Sequence, residues 1–357
     1  MDLPVQPPVT PMLARAAKAL PEQPAEAPGW SYEPKWDGFR CLVFRDGDEV
    51  VLGSRGSKPL TRYFPEVVAA ALAELPPRVV VDGELFVPAA DGRRLDWDAL
   101  SQRIHPAASR IAMLSEQTPA RFVAFDLLAC GEEDLTAAPF AQRRARLVGA
   151  LAGAGATFSV TSATTDRDRA IEWFTRFEGA GLDGVVAKPL AGPYSPGERT
   201  MTKVKHSRTA ECVVMGYRPH KSIDDGIGSM LLGLHDDGEL HMVGGASAFT
   251  TARRRELLEQ FQELRVGADV TTAGEPNRWQ RREDDSWVPL RPELVAEVRY
   301  DQMEGQRFRH AVQFLRWRPD KEPAQCTRDQ LDAPADYDLA DVLSGAAPRG
   351  AGTGQEG

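Results

Sequence analysis

Glu33-Pro34-Lys35-Trp36-Asp37-Gly38-Phe39-Arg40 is the stretch around which the rest of the chain is organised. It places an acid two residues after a lysine, then a glycine that lets the backbone approach a ligand, then an arginine. A lysine amine attacks only when it is neutral, and its ordinary pKa of about 10.4 must first be lowered by burial and nearby cations. The pattern makes Lys35 a candidate nucleophile at phosphorus. It also fits a polar β-turn, because Asp-Gly is a turn signal in its own right.

The length and composition indicate a globular protein of two domains. The chain has 357 residues, of which 42% are hydrophobic, and its formal net charge is −9. That charge argues against a uniformly basic nucleic-acid binder, but basic residues cluster locally, for example from Arg199 to Arg208 and from Arg307 to Lys321. We expect a phosphate backbone to find its contacts in such clusters.

The cysteines and the chain start indicate a cytoplasmic protein. Cys41, Cys130, Cys212 and Cys326 are far apart and form no C-x-x-C pair, so a zinc site is excluded and a disulfide framework is improbable. The first residues lack the features of a signal peptide, and no run is apolar enough to span a bilayer. We expect no membrane partner.

Hydrophobic patterns divide the chain into an N-terminal part of strands and helices and a later part of short strands. Residues 4–29 are rich in Pro and Ala and predict an extended arm. Helix is predicted from Pro65 to Leu75, from Trp97 to Ile104, from Pro139 to Leu151 and from Arg167 to Phe177. In the last of these, Ile171, Phe174 and Phe177 are expected to face inward.

Past Arg208 the pattern predicts five strands and one helix, which fits a small Greek-key barrel of the OB type. The strands are predicted at 211–217, 229–235, 239–244, 294–300 and 308–315, and the helix at 252–264. The expected domains are therefore 1–208 and 209–335, followed by a tail at 336–357 whose Gly-rich end we expect to be disordered.

Further short motifs follow Lys35 in a fixed order. They are Ser54-Arg55-Gly56, Asp82-Gly83-Glu84, Phe125 in an apolar strand, Asp183-Gly184-Val185-Val186-Ala187-Lys188 and Lys203-Val204-Lys205. In a strand, Lys203 and Lys205 point to the same face. Each motif alone also fits a plain structural role, such as a surface arginine, a core phenylalanine or a solvated edge strand.

In this order the motifs resemble the full set of the ATP-dependent DNA ligases, members of the nucleotidyltransferase superfamily whose first motif is K-x-D-G-x-R. The R-x-D-K motif of their second domain is resembled by Arg316-Trp317-Arg318-Pro319-Asp320-Lys321. The small stand-alone bacterial ligases of the ligase C group also have P-M-L-A near their start, which is similar to Pro11-Met12-Leu13-Ala14 here. The resemblance implies an α+β fold: an adenylating nucleotidyltransferase domain, with ATP-grasp-like antiparallel sheets and helices, followed by an OB-fold β-barrel.

The resemblance also implies a reaction and a role for each matched residue. Lys35 would attack the α-phosphate of ATP and form lysyl-AMP, and AMP would then activate the 5′-phosphate of nicked duplex DNA for displacement by the 3′-OH. Glu33 would read the adenine edge, Phe125 would stack on the base, and Arg40 and Arg55 would hold the ribose side and the 5′-phosphate. Glu84 would take the ribose hydroxyl or a metal, and Lys188, Lys203 and Lys205 would neutralise the α-phosphate.

Two further expectations concern the metal and the second domain. Asp183 departs from the family, which usually has glutamate there as a metal ligand; with Glu84 it would hold Mg²⁺ or Mn²⁺. Arg316, Arg318, Asp320 and Lys321 would contact the ATP phosphates in the first step.

Several alternatives stay open at this point. An RNA ligase or an mRNA guanylyltransferase shares the first motif, and a non-catalytic nucleic-acid-binding OB protein would share the second domain. An NAD-dependent ligase is disfavoured by chain length and by the absence of zinc-binding cysteines. We expect a monomer in the cytoplasm or nucleoid that acts in DNA repair, with a repair polymerase as a possible partner.

Overall fold

The computed structural model describes the chain except for residues 27, 57–58, 178–181, 207, 268–285, 332–338 and 345–357. The chain divides into two compact units, Met1–His206 with Ala333–Gly357, and Ser207–Asp332. The expected disorder of the Gly-rich end concerns residues outside the described part. No helix among the described residues is long and apolar enough to cross a membrane.

The first unit contains ten strands and five helices before residue 206, counted over its described residues. The strands are β1 (Ala14–Ala16), β2 (Trp30–Pro34), β3 (Phe39–Asp46), β4 (Glu49–Ser54), β5 (Arg78–Phe86), β6 (Arg121–Cys130), β7 (Glu133–Asp134), β8 (Phe158–Val160), β9 (Gly184–Pro189) and β10 (Met201–Lys205). The helices are α1 (Pro65–Glu74), α2 (Trp97–Gln102), α3 (Ala108–Gln117), α4 (Phe140–Ala150) and α5 (Arg167–Arg176). The sequence did not predict α3.

Two sheets form the framework of this unit. One has the order β4-β3-β5-β6-β7 with β8 beside β6, and the other has the order β1-β10-β9-β2. The pairs β1–β10 and β6–β8 are parallel and the remaining pairs are antiparallel, so the sheets are mixed and not purely antiparallel as expected. The two parallel pairs each bring in a short strand from a distant part of the chain.

Strand alternation explains how the two sheets pack. In β3, Cys41 and Val43 join a core shared with α1, whereas Leu42 and Phe44 join a cluster that contains Met12 and residues of the second sheet. Successive side chains of a strand point to opposite faces, so β3 serves two apolar layers at once. One layer lies under the helices, and the other lies between the sheets.

The prediction that Ile171 faces inward in α5 was wrong. Ile171 is 40% exposed, whereas Ala170 and Trp173 are 0% and 3% exposed. Phe177, which caps the helix, is also buried, as predicted. Positions 170, 173 and 177 fall on one face of a helix, so Trp173 marks the face of α5 that is buried.

The second unit is built on one mainly antiparallel sheet. Its described elements are β11 (Arg208–Pro219), β12 (Ile227–Asp236), β13 (Glu239–Ala246), α6 (Thr251–Gln262), β14 (Val288–Pro289), β15 (Val295–Tyr300), β16 (Met303–Glu304), β17 (Arg307–Phe308) and β18 (Gln313–Trp317). The sheet order is β13-β12-β11-β15-β18, with β14 beside β11. Buried Leu257 and Phe261 of α6 belong to the apolar cluster of this unit.

The described strands do not close into the expected OB barrel. The edge strands β13 and β18 are linked by a single parallel bridge between Ala246 and Val312, where the N–H of Val312 donates to Gly245 O at 3.0 Å. Because β13 ends at Ala246 and β18 begins at Gln313, the two strands meet only at their ends. The five predicted strands and the helix are all present.

A seventh helix, α7 (Leu339–Ser344), follows the second unit in sequence and belongs to the first unit by its contacts. It lies within the segment 336–357 that the sequence assigns to a tail. Leu339 and Val342 are 2% and 0% exposed and join an apolar cluster of the first unit.

Candidate nucleotide-binding site

A cavity of about 370 Å³ in the first unit collects most of the residues that the sequence singled out. Those that line it are Glu33, Lys35, Arg40, Arg55, Glu84, Phe125, Lys188, Lys203 and Lys205. They come from the strands or flanking loops of both sheets, so the fold brings together residues that are up to 172 positions apart. Asp183 lies behind the lining, with its side chain 4% exposed.

Lys35 is fixed by its backbone before its side chain is considered. It follows β2, and its N–H donates to Gly184 O at 2.8 Å while its carbonyl accepts from the N–H of Asp183 at 3.0 Å. Gly184 has φ +137°, and a Cβ there would overlap Val204 O, so this crossing of three chain segments requires glycine. The motif that begins at Asp183 thus holds the lysine motif in place.

Asp183 joins two of the candidate lysines. Its Oδ2 lies 2.7 Å from Lys35 Nζ and 2.7 Å from Lys205 Nζ. Burial alone would raise the pKa of Asp183, but the charge of Lys35 and hydrogen bonds from both lysines outweigh it, so the pKa is lowered. The carboxylate is therefore ionised at neutral pH and holds both ammonium groups at the cavity wall.

A cationic patch surrounds the end of Lys35. The pKa of Lys203 is lowered, first by partial burial and then by the charges of Lys35, Lys205 and Arg55. Like charges are brought together at a cost, which a bound polyanion would relieve. The patch is suited to phosphate groups.

On the opposite wall, Glu33 and Lys188 form a buried pair. Lys188 Nζ lies 2.7 Å from Glu33 Oε2, donates to Phe125 O at 2.9 Å and sits 4.6 Å from the centroid of the Phe125 ring. Burial lowers the pKa of Lys188 despite the nearby acid. Glu33 Oε1 has no hydrogen-bond partner among the described residues, and the guanidinium of Arg144 stands 3.8 Å from it. One acceptor oxygen at this wall is thus left for a ligand.

Arg40 is engaged by a partner that sequence reasoning did not assign. Its Nε and Nη2 donate to the two carboxylate oxygens of Asp82, each at 2.6 Å, and Tyr194 Oη donates to Asp82 at 2.7 Å. Burial would lower the pKa of Arg40, but Asp82 outweighs it and the pKa is raised. The guanidinium lies 4.4 Å from the centroid of the Phe125 ring. Arg40 therefore forms a rigid wall beside Phe125, and its charge is largely neutralised.

Among the carboxylates that line the cavity, Glu84 has a raised pKa. Burial raises its pKa to about 7 against the opposing charges of Arg40 and Lys35. Gly38 lies against it, and a Cβ on Gly38 would overlap Leu85 O and approach Glu84 Cγ to 2.9 Å. The glycine of the lysine motif is required by this close approach, and not by a positive φ.

The residues fit a divalent cation only with help from a ligand. Within the described part of the chain, no group of three or more His, Cys, Asp or Glu side chains is placed to hold a metal. The Oδ1 atom of Asp183 is buried without a described hydrogen-bond partner, and Glu84 lines the cavity. Mg²⁺ in nucleotide sites is commonly bound by one or two carboxylates together with substrate phosphates, and this donor set fits that arrangement.

The candidate residues of the second unit form an ion-pair network with two glutamates. Arg316 Nη2 lies 2.7 Å from Glu297, Arg318 pairs with Glu211 and with Asp320 at 2.7 Å, and Lys321 also pairs with Glu211. The bonds from Arg318 lower the pKa of Asp320 to about 2. All four predicted residues are thus brought together, and Glu211 and Glu297 are the members that the sequence did not indicate.

Family models match both parts of the chain. A model described as "ATP dependent DNA ligase domain" matches residues 11–205, and one described as "ATP dependent DNA ligase C terminal region" matches residues 224–321. The first match contains all the motif residues that line the cavity, and the second contains Arg316, Arg318, Asp320 and Lys321.

Curated relatives match over almost the whole chain. DNA ligase C1 of Mycolicibacterium smegmatis is 59% identical over 96% of this chain and 99% of its own length. DNA ligase C of Mycobacterium tuberculosis is 54% identical over 97% of this chain and 99% of its own length. Among solved structures, a Lig E DNA ligase covers 86% of this chain and 99% of its own, with a TM-score of 0.56 and 19% identity, which shows a shared fold.

Proposed function

The chain belongs to the ATP-dependent DNA ligases, and from that premise we propose that Lys35 is the residue that accepts AMP from ATP. The family identification made from the motif series is thereby confirmed. One observation carries the proposal: a single cavity brings Lys35 together with Lys203, Lys205 and the Phe125 wall. Transfer of AMP from ATP needs three features: a nucleophile, side chains that contact the phosphates, and an aromatic ring on which the base can stack.

We propose that the base binds at the Phe125 wall and is recognised by Glu33. Glu33 Oε1 accepts no hydrogen bond from the described residues, and adenine presents an exocyclic amino donor where guanine presents an acceptor oxygen. Arg40 and Lys188, which flank Phe125, limit the motion of the ring. In the pose proposed for adenine, GTP would turn its O6 acceptor toward this carboxylate oxygen, so the arrangement favours ATP.

In the first step, the neutral amine of Lys35 forms a bond from its nitrogen to the α-phosphorus while the bond to the pyrophosphate oxygen breaks. Pyrophosphate leaves, and the nitrogen gives up one proton to solvent. Lys203, Lys205 and Arg55 would stabilise the negative charge that builds on the phosphate oxygens. Asp183, at 2.7 Å from Lys35 Nζ, orients the amine toward the cavity. The step conserves the free energy of ATP in a P–N bond, from which AMP passes to the 5′-phosphate of a nick.

Glu84 and Asp183 would hold a divalent cation, Mg²⁺ or Mn²⁺, when ATP is bound. Such an ion supplies charge neutralisation at the phosphates. Glu84 also has a second proposed role as acceptor of a ribose hydroxyl. Its raised pKa means that either role is better served above about pH 7, where the carboxylate is ionised.

We further propose that Arg316, Arg318, Asp320 and Lys321 contact the ATP phosphates in the first step. A planar guanidinium matches a phosphate with two parallel hydrogen bonds, and Glu211 and Glu297 hold these side chains in a defined geometry. Replacing Arg318 by Ala should slow lysyl-AMP formation more than it slows sealing of a nick that already carries AMP.

The substrate proposed is duplex DNA with a 3′-OH/5′-phosphate nick. It is supported by the names of the relatives, which are DNA ligases. The test compares nicked duplexes with DNA or RNA on either side of the nick, each with ATP or GTP and with Mg²⁺ or Mn²⁺. Sealing of the DNA nick with ATP is the result expected, whereas labelling by GTP alone would favour a guanylyltransferase and sealing of RNA nicks alone would favour an RNA ligase.

The cellular setting stays a prediction. A role in DNA repair, a repair polymerase as partner, a monomeric state and a place in the cytoplasm or nucleoid follow from the family resemblance and from the sequence. An intact Lys35 in an assembled cavity argues against a non-catalytic nucleic-acid-binding protein.

A further inference from the structure

The helix α7 completes the apolar core beneath the lysine motif. Leu339 and Val342 are 2% and 0% exposed, and they belong to the same cluster as Tyr32 and Trp36. The N–H of Leu339 also donates to Arg93 O at 3.0 Å. Residues more than 300 positions along the chain from Lys35 therefore share an apolar cluster with Tyr32 and Trp36, which flank it.

A pair of residues links α7 to the lysine motif by hydrogen bonds. Ser162 Oγ donates to Val342 O at 2.8 Å, and the neighbouring Thr161 accepts from the indole N–H of Trp36 at 2.8 Å. Thr161 is 1% exposed, and Trp36 also stacks on Phe86 at 5.3 Å between ring centroids. Trp36 directly follows Lys35, so its side chain anchors the backbone that presents the nucleophile.

The same pair reaches the opposite wall of the cavity. The carbonyl of Thr161 accepts from the guanidinium of Arg144, and Arg144 forms an ion pair with Glu33 Oε1 at 3.8 Å. Thr161 and Ser162 thus connect α7 to the residue beside the nucleophile and to the residue beside the proposed base contact. The motifs of the family resemblance include none of Arg144, Thr161, Ser162 and Val342, so they assign no role to this connection.

We propose that α7 is a positioning element of the nucleotide cavity, which holds Trp36 and Arg144 in place through Thr161 and Ser162. The inference rests on the proposed role of Lys35 as the AMP acceptor. The chemistry of the step is unchanged by α7; only the placement of Lys35 and Glu33 depends on it. Misplacing a reacting group by about 1 Å can cost about a hundredfold in rate, so a small loosening of this core has a measurable effect.

The test uses full-length variants that differ only within α7. Val342→Asp puts a charge into the buried contact and should undock the helix. Ala340→Asp puts the same charge on the exposed face and is the matched control, whereas Val342→Ile keeps the contact apolar. Circular dichroism and thermal unfolding establish that each variant is folded at the assay temperature.

Three readouts separate positioning from general damage. Formation of lysyl-AMP by Val342→Asp should fall about tenfold or more and the KM for ATP should rise. Sealing of a nick that already carries AMP, for which Lys35 is not the nucleophile, should fall much less. Hydrogen exchange of the segment 33–40 should accelerate in Val342→Asp, and both Ala340→Asp and Val342→Ile should match the unchanged protein in all three readouts.

Two results would overturn the inference. One is a folded Val342→Asp protein that forms lysyl-AMP at the rate of Ala340→Asp with unchanged exchange at 33–40. The other is an equal fall in both steps that follows the folded fraction alone. If the unchanged protein formed no lysyl-AMP, the proposed function would fail instead, and the exchange experiment would still decide whether α7 is coupled to the lysine motif.

Discussion

At neutral pH the raised pKa of Glu84 conflicts with its two proposed roles, as metal ligand and as acceptor of a ribose hydroxyl. Burial raises its pKa from 4.5 to about 7, yet both proposed roles need the carboxylate. In the folded protein it therefore binds a proton that it would have released in the unfolded chain. Its contribution to stability is complete below about pH 4.5 and is lost as the pH rises through about 7.

The first prediction follows from this loss of stability as the pH rises. Replacing Glu84 by Gln removes the ionisation, so the variant should gain stability relative to the unchanged protein as the pH rises from 5 to 8, by about 1–3 kcal/mol since the side chain is partly exposed in the cavity. Urea unfolding of both proteins at several pH values measures the difference. A constant difference across this range would contradict the raised pKa.

The second prediction concerns Gly38. Replacing it by Ala should displace the segment that carries Lys35, because the added Cβ overlaps the carbonyl oxygen of Leu85. We expect a loss of about 1–3 kcal/mol in stability and a fall of about tenfold or more in lysyl-AMP formation. Gly153→Ala, where an added Cβ meets nothing within 4 Å, is the control. Equal behaviour of the two variants would argue against a close packing requirement at Gly38.

Among single residues, the sequence indicated which candidates lie together, but it did not indicate how they pair. Nine of the ten candidates in the first unit line one cavity, with Asp183 directly behind it. The pairing of Arg40 with Asp82 was not assigned, although a costly acid inside an apolar strand signalled that a partner must exist. Arg144 gave no signal, because a single arginine on a helix is ordinarily a surface residue.

At the scale of elements, α5 shows how a hydrophobic pattern can fix a helix and misplace its face. The helix bounds were predicted to within one residue, but Ile171 was assigned inward and Trp173 was not considered. The buried face is set by the largest apolar side chain, and Trp173 stacks on Phe177 at 5.7 Å between ring centroids.

The third prediction tests which face of α5 is buried. Trp173→Ala should cost about 3–5 kcal/mol because it empties a buried site, whereas Ile171→Ala should change stability by about 0.5 kcal/mol or less. Denaturant unfolding monitored by circular dichroism measures both. A larger cost at Ile171 than at Trp173 would mean that the helix is rotated.

Other elements could be predicted only in part. The strands β5 and β6 contain runs of β-branched and aromatic residues, which is the usual local signal of a buried strand. The helices α3 and α7 were missed, since each is a short segment that buries only two side chains. For α7 the apolar partner lies in a distant part of the sequence, so no local pattern could reveal where it docks.

For the whole molecule, the sequence predicted the family, the order of the two parts and the antiparallel sheet of the second. It did not predict that the described strands of the second unit stay open apart from one bridge, because closure depends on where two edge strands end in space. Nor did it predict that the chain returns to the first unit after the second. Both are properties of long-range packing.

The proposed ligase reaction begins with one covalent bond to the side chain of Lys35. The decisive measurement is intact-mass spectrometry of the protein after incubation with ATP and Mg²⁺ or Mn²⁺, followed by peptide mapping. We predict one adenylate on Lys35, its absence in Lys35→Ala, and its removal when nicked DNA is added. An unmodified protein under all these conditions, or an adenylate carried by a different residue, would contradict the central claim.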